Sequence, residues 1–266
     1  MELLKELQDL LRHPAVWRGD QLDQTTPATP TGFAELDAEL PGGGWPRAGL
    51  TELQVPREGA GELSLLLPAL AQVSREQRWV VFVAPPYLPY APALGQAGID
   101  LSRYMLVRVQ SLESRLWAIE QALRSGACGA VLFWANGLDD RHLRRLQLAA
   151  IEGDAMGFCF DIQASQSART SPVPLRLALR PDLGARVEIE ILKRRGGRVP
   201  HKLRLALPRG NPVLSTPLPP ARGRVGRIPP WRPAAESIKT PGVAATAPGA
   251  SWSATAEAVW RSAAQG

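Results

Sequence analysis

Val55-Pro56-Arg57-Glu58-Gly59-Ala60-Gly61-Glu62-Leu63 follows a short apolar run and opens a helical pattern, with Gly59 and Gly61 placed as in a loop that wraps phosphate. Such a loop cradles anionic oxygens in backbone N–H groups, sets a Lys ammonium on the outer phosphates and holds Mg²⁺ with a hydroxyl. Here Glu62 and Leu63 stand at the Lys and Ser/Thr positions. A carboxylate repels the anion it should receive, and Leu offers magnesium no ligand. The stretch therefore reads as a degenerate nucleotide site formed by Gly59, Gly61, Glu62 and Leu63.

Upstream stand Thr31-Gly32-Phe33-Ala34-Glu35-Leu36-Asp37, then Leu40-Pro41-Gly42-Gly43-Gly44-Trp45-Pro46 and Leu50-Thr51-Glu52-Leu53. This run resembles the start of the RecA recombinase core, where a Thr-Gly and a Leu-Asp pair lead through a Gly-rich turn into the strand before the phosphate loop. With His13-Pro14-Ala15-Val16-Trp17-Arg18-Gly19 before it, the Gly-Gly-Gly-Trp-Pro-Arg wording is similar to the ImuA family, RecA-like accessory factors of bacterial damage-induced mutagenesis. The resemblance covers about residues 10–207. It implies a RecA-like α/β core and names two further positions for nucleotide chemistry. Trp134 ends the strand that in RecA-like ATPases closes on a magnesium-orienting Asp, and Pro86 lies where those ATPases place the Glu that activates water. Together these changes remove charge neutralisation, metal binding and water activation. The expectation is a non-enzyme with no cofactor and no metal.

Other residues do not rebuild a site. Asp139-Asp140 is a paired-carboxylate candidate, but its place before an apolar-periodic run favours helix capping. His13, His142 and His201 lie far apart in sequence, and Ser64 has no nucleophile-elbow context. Cys128 and Cys159 lack any CxxC or Cys/His ligand spacing, so buried reduced thiols are expected.

The pattern along the chain is α/β. Apolar runs at 50–55, 79–84, 104–108, 130–134 and 156–161 alternate with helical spacing, as in Leu112, Leu116, Ile119 and Leu123, and as in Leu143, Leu146, Ala150 and Ile151. Runs buried on both faces and separated by helices mean a mostly parallel sheet. After residue 171 the pattern alternates, and the Gly196-Gly197 turn predicts antiparallel strands at one edge. Three segments result. Residues 1–30 hold an amphipathic helix over 2–12, with Leu3, Leu4, Leu7, Leu10 and Leu11 on one face, and a linker over 19–30; this helix packs on its own domain or on a neighbouring subunit. Residues 31–207 are the RecA-like core. Residues 208–266, with ten of the 25 prolines and few large aliphatics, are expected to be a disordered tail.

The net charge of +6 is unevenly spread. Residues 1–207 carry 24 Lys/Arg against 23 Asp/Glu, and residues 208–266 carry seven against two. Within the core, Lys193, Arg194, Arg195, Arg198, Lys202 and Arg204 form a basic cluster, which reads as a solvated hairpin tip, as a weak non-specific DNA contact, or as a subunit or partner surface. In the tail, Arg222, Arg224 and Arg227 accompany Trp231, Trp252 and Trp260, candidate anchors for a partner.

The resemblance to ImuA implies a non-catalytic accessory of error-prone translesion synthesis. Its partners would be an ImuB-like Y-family polymerase homologue and an error-prone replicative-type polymerase, with RecA or a second copy as further contacts. The rival readings are a SulA-like cell division inhibitor that binds FtsZ and an ATP-binding RecA paralogue. The N-terminus mixes charges into its apolar residues, and the apolar stretch at 65–70 is interrupted by Pro68, so a soluble cytoplasmic protein with no membrane association is expected.

Overall fold

A computed structural model describes residues 26–109, 111–134, 138–162, 171–182, 185–197 and 199–208. The expectations placed on residues 1–25, on Arg198, on most of the loop at 163–171 and on residues from 209 onward lie outside the described residues.

Eight strands form one sheet in the order β10-β9-β8-β3-β7-β6-β4-β5. Its parallel part is β3 (Gly49–Val55), β4 (Trp79–Val83), β5 (Tyr104–Val107), β6 (Cys128–Trp134) and β7 (Met156–Ile162). Each of these strands except β5 is buried along nearly its whole length, as expected where helices cover both faces. Along β4, Val80 and Phe82 enter one core cluster while Val81 and Val83 enter the other. The period of two thus feeds two separate layers.

One layer is closed by α2 (Glu62–Arg75), which brings Leu63, Leu65, Leu66 and Leu70 onto the sheet. The other is closed by α4 (Leu112–Arg124) and α5 (Asp140–Glu152) through Ile119, Leu123, Leu143 and Leu146. Short helices α1 (Ala34–Asp37) and α3 (Ala91–Gln96) complete the set. At the start of α5 the Asp139 side chain accepts the His142 N–H at 2.8 Å, which makes the Asp139-Asp140 pair a helix cap.

The antiparallel edge is present with one refinement. β8 (Leu175–Asp182) runs parallel to β3, and the antiparallel pairings are those of β9 (Arg186–Lys193) with β8 on one side and with β10 (Leu203–Ala206) on the other. Gly196 and Gly197 supply positive φ in the turn between β9 and β10.

Two expectations need correcting. Pro68 does not break its segment, because α2 runs through it. Proline removes one helix N–H donor and crowds the carbonyl four residues back; here burial of Leu65, Leu66, Ala69 and Leu70 around it holds the helix. The end of the stretch read as linker is also a strand, β1 (Ala28–Thr29), paired antiparallel with β2 (Trp45–Pro46). The glycine-rich turn allows this, since a Cβ at Gly44 would stand 2.2 Å from the Thr29 carbonyl oxygen. Asp37 completes the turn by accepting the Thr31 N–H at 2.8 Å, a physical role for the Thr-Gly and Leu-Asp pair. Among the described residues no helix is long and apolar enough to cross a membrane.

Candidate functional site

The loop at 56–61, the segment after β4 and the end of β6 all lie at the carboxyl ends of parallel strands, where open α/β sheets receive ligands. Gly59 and Gly61 have φ of 74° and 97°, values that let the loop turn back over the start of α2. Glu62, the first residue of α2, points into that turn. Its Oε1 accepts the Gly59 N–H at 3.0 Å, and the side chain is only 1% exposed. Burial raises its pKa above the ordinary carboxylate value; the N–H groups of Gly59, Glu62 and Ala60 oppose that rise, and the Glu58 charge adds to it. The carboxylate thus sits among the backbone N–H groups of its own loop. Its Oε2 is buried without a hydrogen-bond partner in the structure. Leu63 is buried in the core and presents nothing to the loop.

Trp134 is 7% exposed. Its ring stacks on Phe160 of β7, with centroids 4.5 Å apart and planes at 22°, and tilts against Phe82 of β4 at 6.0 Å. The space beside the strand ends is therefore filled by aromatic carbon, in the same cluster as Val55, Ala60 and Leu63. Pro86 is exposed on the segment after β4 and carries no group able to activate water. Ala60 of the loop, Leu63 and Trp134 belong to one core cluster, while exposed Pro86 is not part of it.

The basic cluster is largely engaged by the chain itself. Lys193 donates to the Ser171 carbonyl at 2.6 Å, Arg194 pairs with Glu39 at 2.9 Å, and Lys202 and Arg204 both face Glu188, at 2.7 and 3.8 Å. The hydrogen bond from the Lys202 ammonium lowers the Glu188 pKa. Arg195 is exposed. The cluster is less a free cationic patch than a set of ties that join β10 to β9 through Glu188 and the end of β9 to Ser171 and Glu39.

One polar group escaped the sequence reading. Glu52 on β3 and Arg176 on β8 are 5% and 7% exposed and form a two-pronged pair, with Nε and Nη2 of Arg176 donating to Oε1 at 3.1 and 2.9 Å. Ser171 Oγ donates to the other oxygen at 2.9 Å. A Glu in the alternation Leu50-Thr51-Glu52-Leu53 signals a polar inward position, but its partner lies 124 residues away and nothing local announces it. Cys128 and Cys159 are free and buried. Burial raises both thiols, Cys159 well above the ordinary value with the charges of Glu52 and Asp161 adding to the effect, so neither is a ready nucleophile.

The family model described as cell division inhibitor SulA matches residues 50–157, from β3 into β7. The cell division inhibitor SulA of Edwardsiella piscicida is 32% identical over 119 residues, which cover 44% of this chain and 71% of that protein. The chain belongs to the SulA family. The cell division inhibitor SulA of Yersinia pestis (strain Pestoides F) is 35% identical over 94 residues, and the match spans 35% of this chain and 56% of that relative. A crystal structure of SulA from Pseudomonas aeruginosa is 29% identical, with 42% of this chain and 97% of that chain covered and a TM-score of 0.37. The fold is α/β, with a mostly parallel sheet and antiparallel pairing at one edge. These relatives carry the name SulA, not ImuA, so they support the SulA-like rival reading better than the ImuA one, and the matched residues include both Glu62 and Trp134.

Proposed function

We propose that the chain acts by contact with other proteins in the bacterial response to DNA damage and turns over no nucleotide. One observation carries this: the loop read as a phosphate loop closes on the chain's own Glu62 carboxylate, which accepts the Gly59 N–H. Trp134, stacked on Phe160, adds to it by filling the place of a metal-orienting Asp. Charge repulsion and lost metal ligation then act together against ATP.

Two partner classes follow. The names of the relatives support inhibition of cell division, and FtsZ is the partner that the SulA-like reading of the sequence implies. What favours an accessory role in error-prone translesion synthesis, in the manner of ImuA, is the part of the chain beyond that match. The fold continues past residue 157 through β8, β9 and β10, and begins ahead of residue 50 with the Thr31–Asp37 turn and the glycine-rich turn. The tail adds Trp231, Trp252 and Trp260. The purified full chain, titrated against FtsZ polymerisation and, separately, against an ImuB-like Y-family polymerase homologue, separates them. Saturable binding to the polymerase homologue with FtsZ assembly unchanged supports the translesion role, and inhibition of FtsZ assembly supports the other. ATP turnover by the chain would overturn the shared premise.

A further inference from the structure

Helix α5 carries two stripes. Leu143, Leu146, Ala149 and Ala150 are buried against the sheet. Arg141, Arg144, Leu148 and Ile151 recur at i, i+3, i+7 and i+10 on the opposite side, and all four are exposed, Leu148 by 65% and Ile151 by 52%. Neighbouring Arg145 and Arg124 are held by Glu120 and Glu152, whereas neither Arg141 nor Arg144 has a salt bridge among the described residues. One exposed aliphatic residue calls for no explanation. Two of them a turn apart, continued on the same stripe by two exposed cations, of which Arg141 also feels the Asp139 charge, complement an amphipathic helix with an acidic flank.

We propose that the occupant of this stripe is residues 2–12 of the same chain. Their sequence has that chemistry: Leu3, Leu4, Leu7, Leu10 and Leu11 recur at helical spacing, and Glu2, Glu6 and Asp9 recur at i, i+4 and i+7 beside them. The lengths agree, since ten residue steps separate Arg141 from Ile151 and Glu2 from Arg12, about 15 Å of helix in each case. The described chain also begins at the right end of α5. Pro27 accepts the Arg47 N–H at 3.0 Å, and the Arg47 side chain reaches Asp154, two residues beyond the last residue of α5, at 3.5 Å. Thirteen residues, 13–25, join that segment to the described chain, and a fully extended chain of that length spans about 40 Å, ample to reach along α5. In the docked arrangement Leu10 and Leu11 cover Leu148 and Ile151, and Glu2 and Glu6 approach Arg141 and Arg144. Attraction across such an exposed pair is modest and screened by salt, so apolar cover supplies the affinity and the charges set direction.

Hydrogen exchange of the full chain, read by mass spectrometry, tests this. The amides of residues 3–11 should exchange at least tenfold slower than free peptide in the wild-type chain. That protection should vanish in Leu148→Glu/Ile151→Glu, with circular dichroism unchanged. Arg141→Glu/Arg144→Glu should reduce it, and adding Glu2→Lys/Glu6→Lys should restore it. Absence of protection in the wild-type chain, or protection indifferent to all these substitutions, overturns the proposal. Protection that fades on hundredfold dilution assigns the stripe to a second copy and overturns the own-chain occupant. Should the Leu148/Ile151 variant fail to fold, the charge reversal and its rescue decide alone.

Discussion

The ring of Trp134 lies on that of Phe160, centroids 4.5 Å apart and planes 22° from parallel, so the last residue of one parallel strand is locked to its neighbour at the end of the sheet where a ligand would enter. Such a pair is more than a missing carboxylate. It converts the mouth of the site into core, and the chemistry of a nucleotide site cannot be recovered there one residue at a time.

The first prediction follows directly. Full-length protein with Mg²⁺ should show no saturable binding of a fluorescent ATP analogue, and Glu62→Lys should leave hydrolysis undetectable, because Leu63, Pro86 and Trp134 still deny metal binding and water activation. Measurable turnover in this single variant would show that the site has been misplaced.

Restoring the acid at the strand end should damage the fold instead. Trp134→Asp removes a large side chain from a packed cluster and buries a charge, so a loss of about 3–5 kcal/mol is expected on urea unfolding. Phe160→Leu, which keeps apolar volume, should cost less.

Glu62 should leave a signature in the pH dependence of stability. Its folded-state pKa is raised, with burial the largest cause, so the folded chain keeps this proton to higher pH than the unfolded chain does. Its contribution is therefore fully present below the ordinary carboxylate pKa and is lost as pH rises through the folded value. Other carboxylates, among them Asp139 and Glu188, are shifted downward and act in the opposite sense. The informative quantity is the difference between wild type and Glu62→Gln across mildly acidic pH. It should tilt against the wild type as pH rises; a flat difference would mean Glu62 is not buried as described.

The Glu52–Arg176 pair should behave as a buried ion pair. Arg176→Met alone strands the Glu52 charge and should destabilise by about 3–5 kcal/mol, while Glu52→Gln together with Arg176→Met should recover most of the loss. Chemical denaturation of the two single variants and the double variant measures the coupling. Additive effects would contradict a direct pair.

For the tail, removal of residues 208–266 should leave circular dichroism and melting of the core intact yet abolish partner binding. Trp231→Ala, Trp252→Ala or Trp260→Ala should weaken association by roughly 1–3 kcal/mol, and neutralising Arg222, Arg224 and Arg227 should change mainly its salt dependence. Equal affinity of full and truncated chains would move the contact onto the core.

Much of the fold was legible because burial on both faces leaves continuous apolar runs, and strands β3 to β7 fall where those runs stand, whereas the parallel direction of β8 was not legible. The helix through Pro68 was not legible, since local propensity argues against it and only packing around Leu65, Leu66 and Leu70 overrides it. Strand β1 was hidden for the opposite reason: Ala28 and Thr29 look like linker until Gly42 and Gly44 let the backbones meet. The basic cluster misleads in a third way, because a sequence counts cations but not the Glu39 and Glu188 that reach them from elsewhere.

The sequence by itself determined that residues 59–63 form a phosphate-type loop without its cation or its hydroxyl, because residue identity alone fixes charge and ligand chemistry. What took the empty place was decided only in three dimensions. Glu62 could have faced solvent, as a carboxylate at a helix start often does. It turns inward because Gly59 and Gly61 adopt positive φ and fold the loop over it, and Trp134 closes the mouth because the parallel pairing of β6 and β7 sets it opposite Phe160. Both outcomes depend on contacts between residues distant along the chain, and no local pattern encodes them.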